Sequence, residues 1–316
     1  MVNVPWLSVS GYGAYIKSTR NHLIIQKKQT IERHHLGDIR HLLIVGGHMI
    51  SSSTISHLVK NGCYITFFDS DCTPVGVIKP YCDPGIEQKE SRSLEFSSQQ
   101  RFAVAVAQAS IKSRLFAIEQ LQESQNSHLF YEGERDVLWK SLEELEYLIK
   151  LDEIRRLHKL TSDMYYEIIS RSIPHELEFR RRTMRPQRDP VNAMLSFGYA
   201  LLFGNCMVAS IGAHLNPDSG MLHMGKGSLI YDLIDPLKAT MVDNPVLRVA
   251  RESLKSSDYE MTDDRCILSD ELLNTLMTAV YRALDADTLN EQVSTFSTSV
   301  RHGESFKSLY GKEGHT

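Results

Sequence analysis

Residues Val191 to Ile211 are apolar on almost every helical face, with Ala193, Gly198, Ala200, Gly204 and Ala209 set between larger side chains. A helix of that kind belongs in the middle of a domain, so the remaining chain must be built around it. Asp189 marks its start, because a carboxylate there accepts hydrogen bonds from the first free amides. Pro190 suits the first helical position, where no N–H is needed. Gly212 ends the helix, and Asn216-Pro217-Asp218-Ser219-Gly220 reads as a turn. Then come His223, a short loop, Ser228 as a cap, and Asp232 and Asp235 three apart on one helical face. The buried helix thus holds up an imidazole and two carboxylates, a candidate metal site.

A chain of 316 residues can bury a full core and is expected to form two domains. Its five cysteines are odd in number and include no CxxC pair, which predicts a reducing compartment without disulfides or a zinc finger. No run is read as a membrane span and no signal-peptide pattern is present, so the expected location is cytoplasmic. The net charge of −4 excludes a uniformly basic nucleic-acid coat. It leaves room for a local basic groove, since Arg180, Arg181, Arg182, Arg185 and Arg188 crowd the approach to the central helix. Clustered guanidinium groups beside metal-type ligands suit a phosphate-bearing partner. A solvated charge run is the plainer alternative.

Short β-rich stretches fill residues 1–85: Tyr12 to Ile16, His22 to Gln26, Leu42 to Val45, Tyr64 to Asp69 and Pro74 to Ile78, with one helix from Ser53 to Lys60. Residues 86–100 fall in the Pro-, Gly-, Glu- and Ser-rich linker region that begins near Pro80. From Arg101 the period becomes helical and stays so to residue 300, with a polar tail over 301–316. Leu157, Leu160, Met164, Tyr165, Ile168 and Ile169 mark one of these helices. The predicted class is α+β, a small N-terminal β domain over residues 1–85 followed by a larger all-helical domain over residues 101–300.

The blocks DPVNAMLSFGYALLFGNC, GMLH and SLIYDLIDPLK, the basic run RRRTMRPQRDP and the N-terminal VGGHMISSSTISHLVKNGCYITFFDSDCTPVG together resemble the CRISPR-associated adaptation integrase family. The resemblance covers roughly residues 10–255. It implies a dimeric endonuclease and integrase that uses Mg²⁺ or Mn²⁺ and works with a small ferredoxin-like partner protein. Such enzymes transfer the 3′-hydroxyl ends of DNA fragments into a CRISPR repeat array. By the same resemblance His223 and Asp235 match the family's metal ligands, Asp232 the accompanying acid and Tyr231 an aromatic neighbour. The arginine run, Lys159 and Tyr165 are then expected at the DNA.

One position departs from the family. Its third ligand is a glutamate seven residues before a tyrosine pair, and counting back from Tyr165 gives His158 followed by Lys159. Imidazole offers one neutral nitrogen where glutamate offers two charged oxygens, which disfavours Mg²⁺ more than Mn²⁺. Three readings follow: a site of His158, His223 and Asp235 that prefers Mn²⁺, a carboxylate borrowed from Glu153 or Glu167, or an impaired site on a DNA-binding assembly subunit.

Overall fold

A computed structural model describes residues 4–27, 30–80, 96–183 and 186–310. It has the N-terminal sheet region and following helical region that the α+β pattern predicts. One four-stranded sheet has the order β1-β5-β7-β8, built from β1 (Trp6–Val9), β5 (His41–Val45), β7 (Tyr64–Phe68) and β8 (Pro74–Ile78). β5 pairs in parallel with both β1 and β7, and all five of its residues are buried. A buried parallel strand is expected to be a near-continuous apolar run, as Leu42 to Val45 are; His41 Nε2 meets Thr66 Oγ1 at 2.7 Å instead. The chain passes from β5 to β7 through α1 (Ser52–Lys60), whose cap Ser51 accepts a hydrogen bond from the Thr54 amide at 3.2 Å.

The second sheet has the order β4-β3-β2-β6, from β2 (Tyr15–Ser18), β3 (His22–Lys27), β4 (Thr30–His35) and β6 (Met49–Ile50). The strand expected from Tyr12 starts instead at Tyr15. Gly11 and Gly13, at φ +91° and +72°, place the preceding backbone in the left-handed region, which extended pairing cannot use. Val9, Ile16, Leu23, Leu42, Leu58 and Ile65 form part of the apolar core of this region.

The helices are α2 (Phe96–Gln125), α3 (Glu134–Leu145), α4 (Leu151–Ser170), α5 (Pro190–Gly212), α6 (Ser228–Ile234), α7 (Asn244–Glu252), α8 (Asp270–Ala283) and α9 (Ala286–His302). Between α7 and α8 lies an antiparallel hairpin, β9 (Tyr259–Met261) with β10 (Cys266–Leu268), in a stretch expected to be wholly helical. Strands of three residues carry too little alternation to stand out in a sequence.

The chain divides into two compact units, one of residues 1–93, 204–217 and 289–302, the other of residues 94–203, 218–288 and 303–316. Two segments placed with the helical domain by sequence order therefore belong to the β-bearing unit. Much of the expected linker, and the end of the tail, lie outside the described residues. The four described cysteines, Cys63, Cys72, Cys206 and Cys266, are free thiols, and Cys82 lies outside the described residues.

The membrane expectation needs correction. α5 is long and apolar enough to cross a bilayer, with a mean hydropathy of 1.6 over an 18-residue window. Half of that window is buried inside the protein, as suits a core helix.

Candidate functional site

The site lies in the second unit and begins with the spacing along α4. Ile154, His158, Thr161, Tyr165, Ile168 and Ile169 are its inward residues, recurring at intervals of three and four. His158 and Tyr165, two turns apart, share that face. Leu160 falls off the stripe and is exposed, against the expectation that it points inward.

Asp235 follows α6 directly and is the hub of the polar contacts. His158 Nε2 lies 2.7 Å from Asp235 Oδ2. Arg114 Nη2, from α2, donates to the same oxygen at 2.9 Å. Lys238 Nζ donates to Oδ1 at 2.7 Å. Burial alone would push the Asp235 pKa up, but Lys238, Arg114 and His158 together hold it well below the usual carboxylate range. Burial pushes His158 the other way, outweighing the attraction of Asp235, so the neutral ring donates its Nε2–H to the carboxylate.

Asp232 has a separate task. Its Oδ2 accepts from the amides of Met221 and Leu222 at 2.6 and 3.1 Å. Its Oδ1 accepts from the His223 amide at 2.7 Å and lies 2.8 Å from His223 Nδ1. The carbonyls of the same strip are held by Arg155, whose Nη2 and Nε donate to Met221 and Leu222 at 2.7 and 3.2 Å. His223 thus sits on a backbone gripped along both polar edges. Its ring approaches His158 at 5.7 Å and Tyr231 at 5.8 Å between centroids.

A Cβ added to Gly220 would lie 2.4 Å from the Ser228 carbonyl carbon and 2.7 Å from its oxygen. Backbone cannot yield as a flexible side chain does, so Gly220→Ala is expected to cost about 1–3 kcal/mol. It should also shift the His223 ring resonances in a proton–nitrogen spectrum. An unchanged spectrum and an unchanged melting temperature would contradict this packing.

The expected ligands are only partly brought together. His158 and Asp235 meet, but His223 is bonded to Asp232. Among the described residues, no three His, Cys, Asp or Glu side chains gather so as to hold a metal ion. Both oxygens of Asp235 already face cations, and the third carboxylate a metal would favour is an imidazole. As arranged, the donor set does not fit a divalent cation. Glu153 and Glu167 offer no substitute, since they stand away from the buried stripe of α4 and are exposed.

The expected DNA contacts divide as well. Arg180, Arg181, Arg188 and Lys159 are exposed. Arg185 lies outside the described residues. Arg182 is committed internally: its Nη1 donates to Asn192 Oδ1 and its Nη2 to Ser196 Oγ, each at 2.8 Å. Tyr165 cannot line a groove, because it is fully buried. Its hydroxyl donates to Asp243 Oδ2 at 2.9 Å, and the Tyr199 hydroxyl donates to Oδ1. Burial raises the Asp243 pKa to about 6, against the opposing effect of the two tyrosines, Lys238 and Arg114.

Arg114, Lys238, Asp243 and Arg155 escaped the sequence reading as members of the site. A signal for Arg114 exists: it lies among Ile111, Leu115 and Ile118 on an apolar stretch of α2. A buried arginine demands a buried acid, though not which one.

The chain is 40% identical over 294 residues to the putative CRISPR-associated endonuclease Cas1 2 of Methanospirillum hungatei JF-1, covering 93% of this chain and 97% of that one. A casposase solved bound to its integration product superposes with a TM-score of 0.76 at 17% identity, over 98% of this chain and all (100%) of that one. A partial Cas6-RT-Cas1–Cas2 complex gives a TM-score of 0.75, also at 17% identity, over 98% and 99% of the two chains. At such identities the structural likeness speaks for the fold. The model of the family described as CRISPR associated protein Cas1 matches residues 7–282, and the chain belongs to that family.

Proposed function

We propose that this chain binds DNA during CRISPR spacer acquisition, as a dimeric member of an integration complex whose own metal chemistry is impaired. The observation that carries the proposal is Asp235, bonded to His158 at the position of the family's glutamate and to Arg114 and Lys238. The proposed DNA contacts are the exposed Arg180, Arg181, Arg188 and Lys159. Phosphate contacts of this kind position a duplex without reading its sequence. The proposed protein partner is the small ferredoxin-like adaptation protein; that a structural neighbour was solved within a Cas6-RT-Cas1–Cas2 complex supports a protein partner.

A second reading is a metal-dependent endonuclease and integrase that prefers Mn²⁺ to Mg²⁺. The endonuclease name of the M. hungatei relative favours it. Cleavage and strand transfer on branched DNA with Mg²⁺ and Mn²⁺ in parallel separate the two. The natural protein is expected to be silent, and His158→Glu to gain activity. Mn²⁺-dependent activity of the natural protein that Asp235→Ala abolishes would establish the second reading instead. DNA affinity should fall steeply with rising salt in either case, through counterion release. Affinity indifferent to salt would remove the arginine surface from the account.

A further inference from the structure

Arg182 turns inward while Arg180, Arg181 and Arg188 face out, and two polar residues on the otherwise apolar first turns of α5 account for it. Asn192 is fully buried. Its Oδ1 accepts from the Thr183 amide at 2.9 Å and from Arg182 Nη1 at 2.8 Å. Its Nδ2 donates to the Arg181 carbonyl at 2.9 Å and to Asp189 Oδ2 at 2.7 Å. Every lone pair and N–H of that amide is thereby used. One turn on, Ser196 Oγ accepts from Arg182 Nη2 at 2.8 Å and from Gln187 Nε2 at 3.0 Å, and donates to the Asn192 carbonyl at 2.8 Å. The Gln187 carbonyl in turn accepts from the Cys266 amide of β10 at 2.8 Å. The described part of the basic run has no regular secondary structure, yet it is held at residues 181–183 and again at 187. A polar network with every member satisfied is rigid. Asp189 lies in the field of Arg182 and balances its charge. Arg180, Arg181 and Arg188 are exposed and make no ion pair among the described residues, with Glu176 and Glu178 included.

We infer that Arg182, Asn192 and Ser196 are positioning residues: they touch no DNA, and they fix Arg180, Arg181 and Arg188 in place for its phosphates before it binds. The inference rests on the DNA-binding reading above and deepens it. A loose run could reach as many phosphates, but fixing its backbone at each encounter would weaken the complex. The two kinds of residue leave different marks on salt dependence. Removing an arginine that contacts a phosphate lowers the slope of log affinity against log salt by about 1, because one fewer counterion is released. Loosening the lock leaves the same phosphates neutralised in the complex. Affinity then falls at every salt concentration while the slope stays.

The test uses the full chain and a labelled duplex oligonucleotide, titrated by anisotropy between about 50 and 200 mM salt. Ser196→Ala, which carries no change of charge, should weaken binding by about three- to tenfold throughout and keep the natural slope. Arg181→Gln should lower the slope by about 1. Amide hydrogen exchange on the natural protein gives an independent readout: the Thr183 N–H should be protected before any DNA is added. Natural affinity in Ser196→Ala would overturn the lock, as would a slope lowered by about 1 in that variant. A Thr183 amide protected only when DNA is present would overturn it as well. Each of these results leaves the DNA-binding reading standing. No duplex binding by the natural protein, or a slope unchanged in Arg180→Gln, Arg181→Gln and Arg188→Gln alike, overturns both. If Ser196→Ala fails to fold, the Thr183 exchange still decides.

Discussion

Asp235→Ala is expected to lower the unfolding free energy by about 3–5 kcal/mol, the range for breaking a buried ion pair from one side. Removing it strands three partners at once: the Arg114 guanidinium, the Lys238 ammonium and the His158 ring. None is free to turn to water without disturbing its helix, since the Arg114 and Lys238 side chains are 6% and 16% exposed. The internal comparison is Glu119, paired with Arg135 at 2.8 Å on the surface, where the two side chains are 38% and 59% exposed. Glu119→Ala should cost no more than about 1 kcal/mol, because solvent already screens that pair. Denaturant unfolding of both variants at neutral pH makes the comparison. Equal, small losses would mean that the cluster contributes nothing to stability. The pH dependence has a definite sign. Asp235 is held below its unfolded value, so its contribution is present above the ordinary carboxylate pKa and disappears as pH falls through the depressed one.

Asp243 should produce the opposite slope. Its pKa rises from 3.8 to about 6 on folding, so between those values the native protein holds a proton that the unfolded chain has released. Stability from this group is therefore complete below the lower value and declines as pH rises through the window. The total decline is about 3 kcal/mol, at 1.36 kcal/mol per unit. Asp243→Asn removes the titration while keeping an acceptor for one tyrosine hydroxyl. The difference in stability between the natural protein and this variant should therefore change with pH between about 4 and 6 and level off on either side. A difference that stays flat across the window would show that Asp243 titrates normally despite its burial.

Much of this arrangement was legible in the chain. α5 announced itself because a helix apolar all round has only one place to go. The seven-residue interval from His158 to Tyr165 is two helical turns, so a common face follows from the period, but its burial was not read: Tyr165 was expected at the DNA and is fully buried. Arg114 was harder. Its partner Asp235 lies 121 residues away, and nothing local records so distant a pairing. The arginine run misled in part for a related reason: Arg182 has the same side chain as its neighbours but finds Asn192 and Ser196 within reach and turns inward. The return of residues 204–217 and 289–302 to the β-bearing unit was equally invisible, since a linear reading assigns segments by adjacency.

The strip from Met221 to His223 has a thermodynamic consequence of its own. Arg155 binds two of its carbonyls and Asp232 binds its amides, so a largely buried loop is hydrogen-bonded much as a helix interior is. A loop so held has little conformational freedom left to surrender when a ligand reaches His223, and association loses correspondingly less to ordering. The neighbouring Met224 is largely exposed and stands just outside the clamped strip. Chemical variety can therefore accumulate there during evolution while the imidazole keeps its aim.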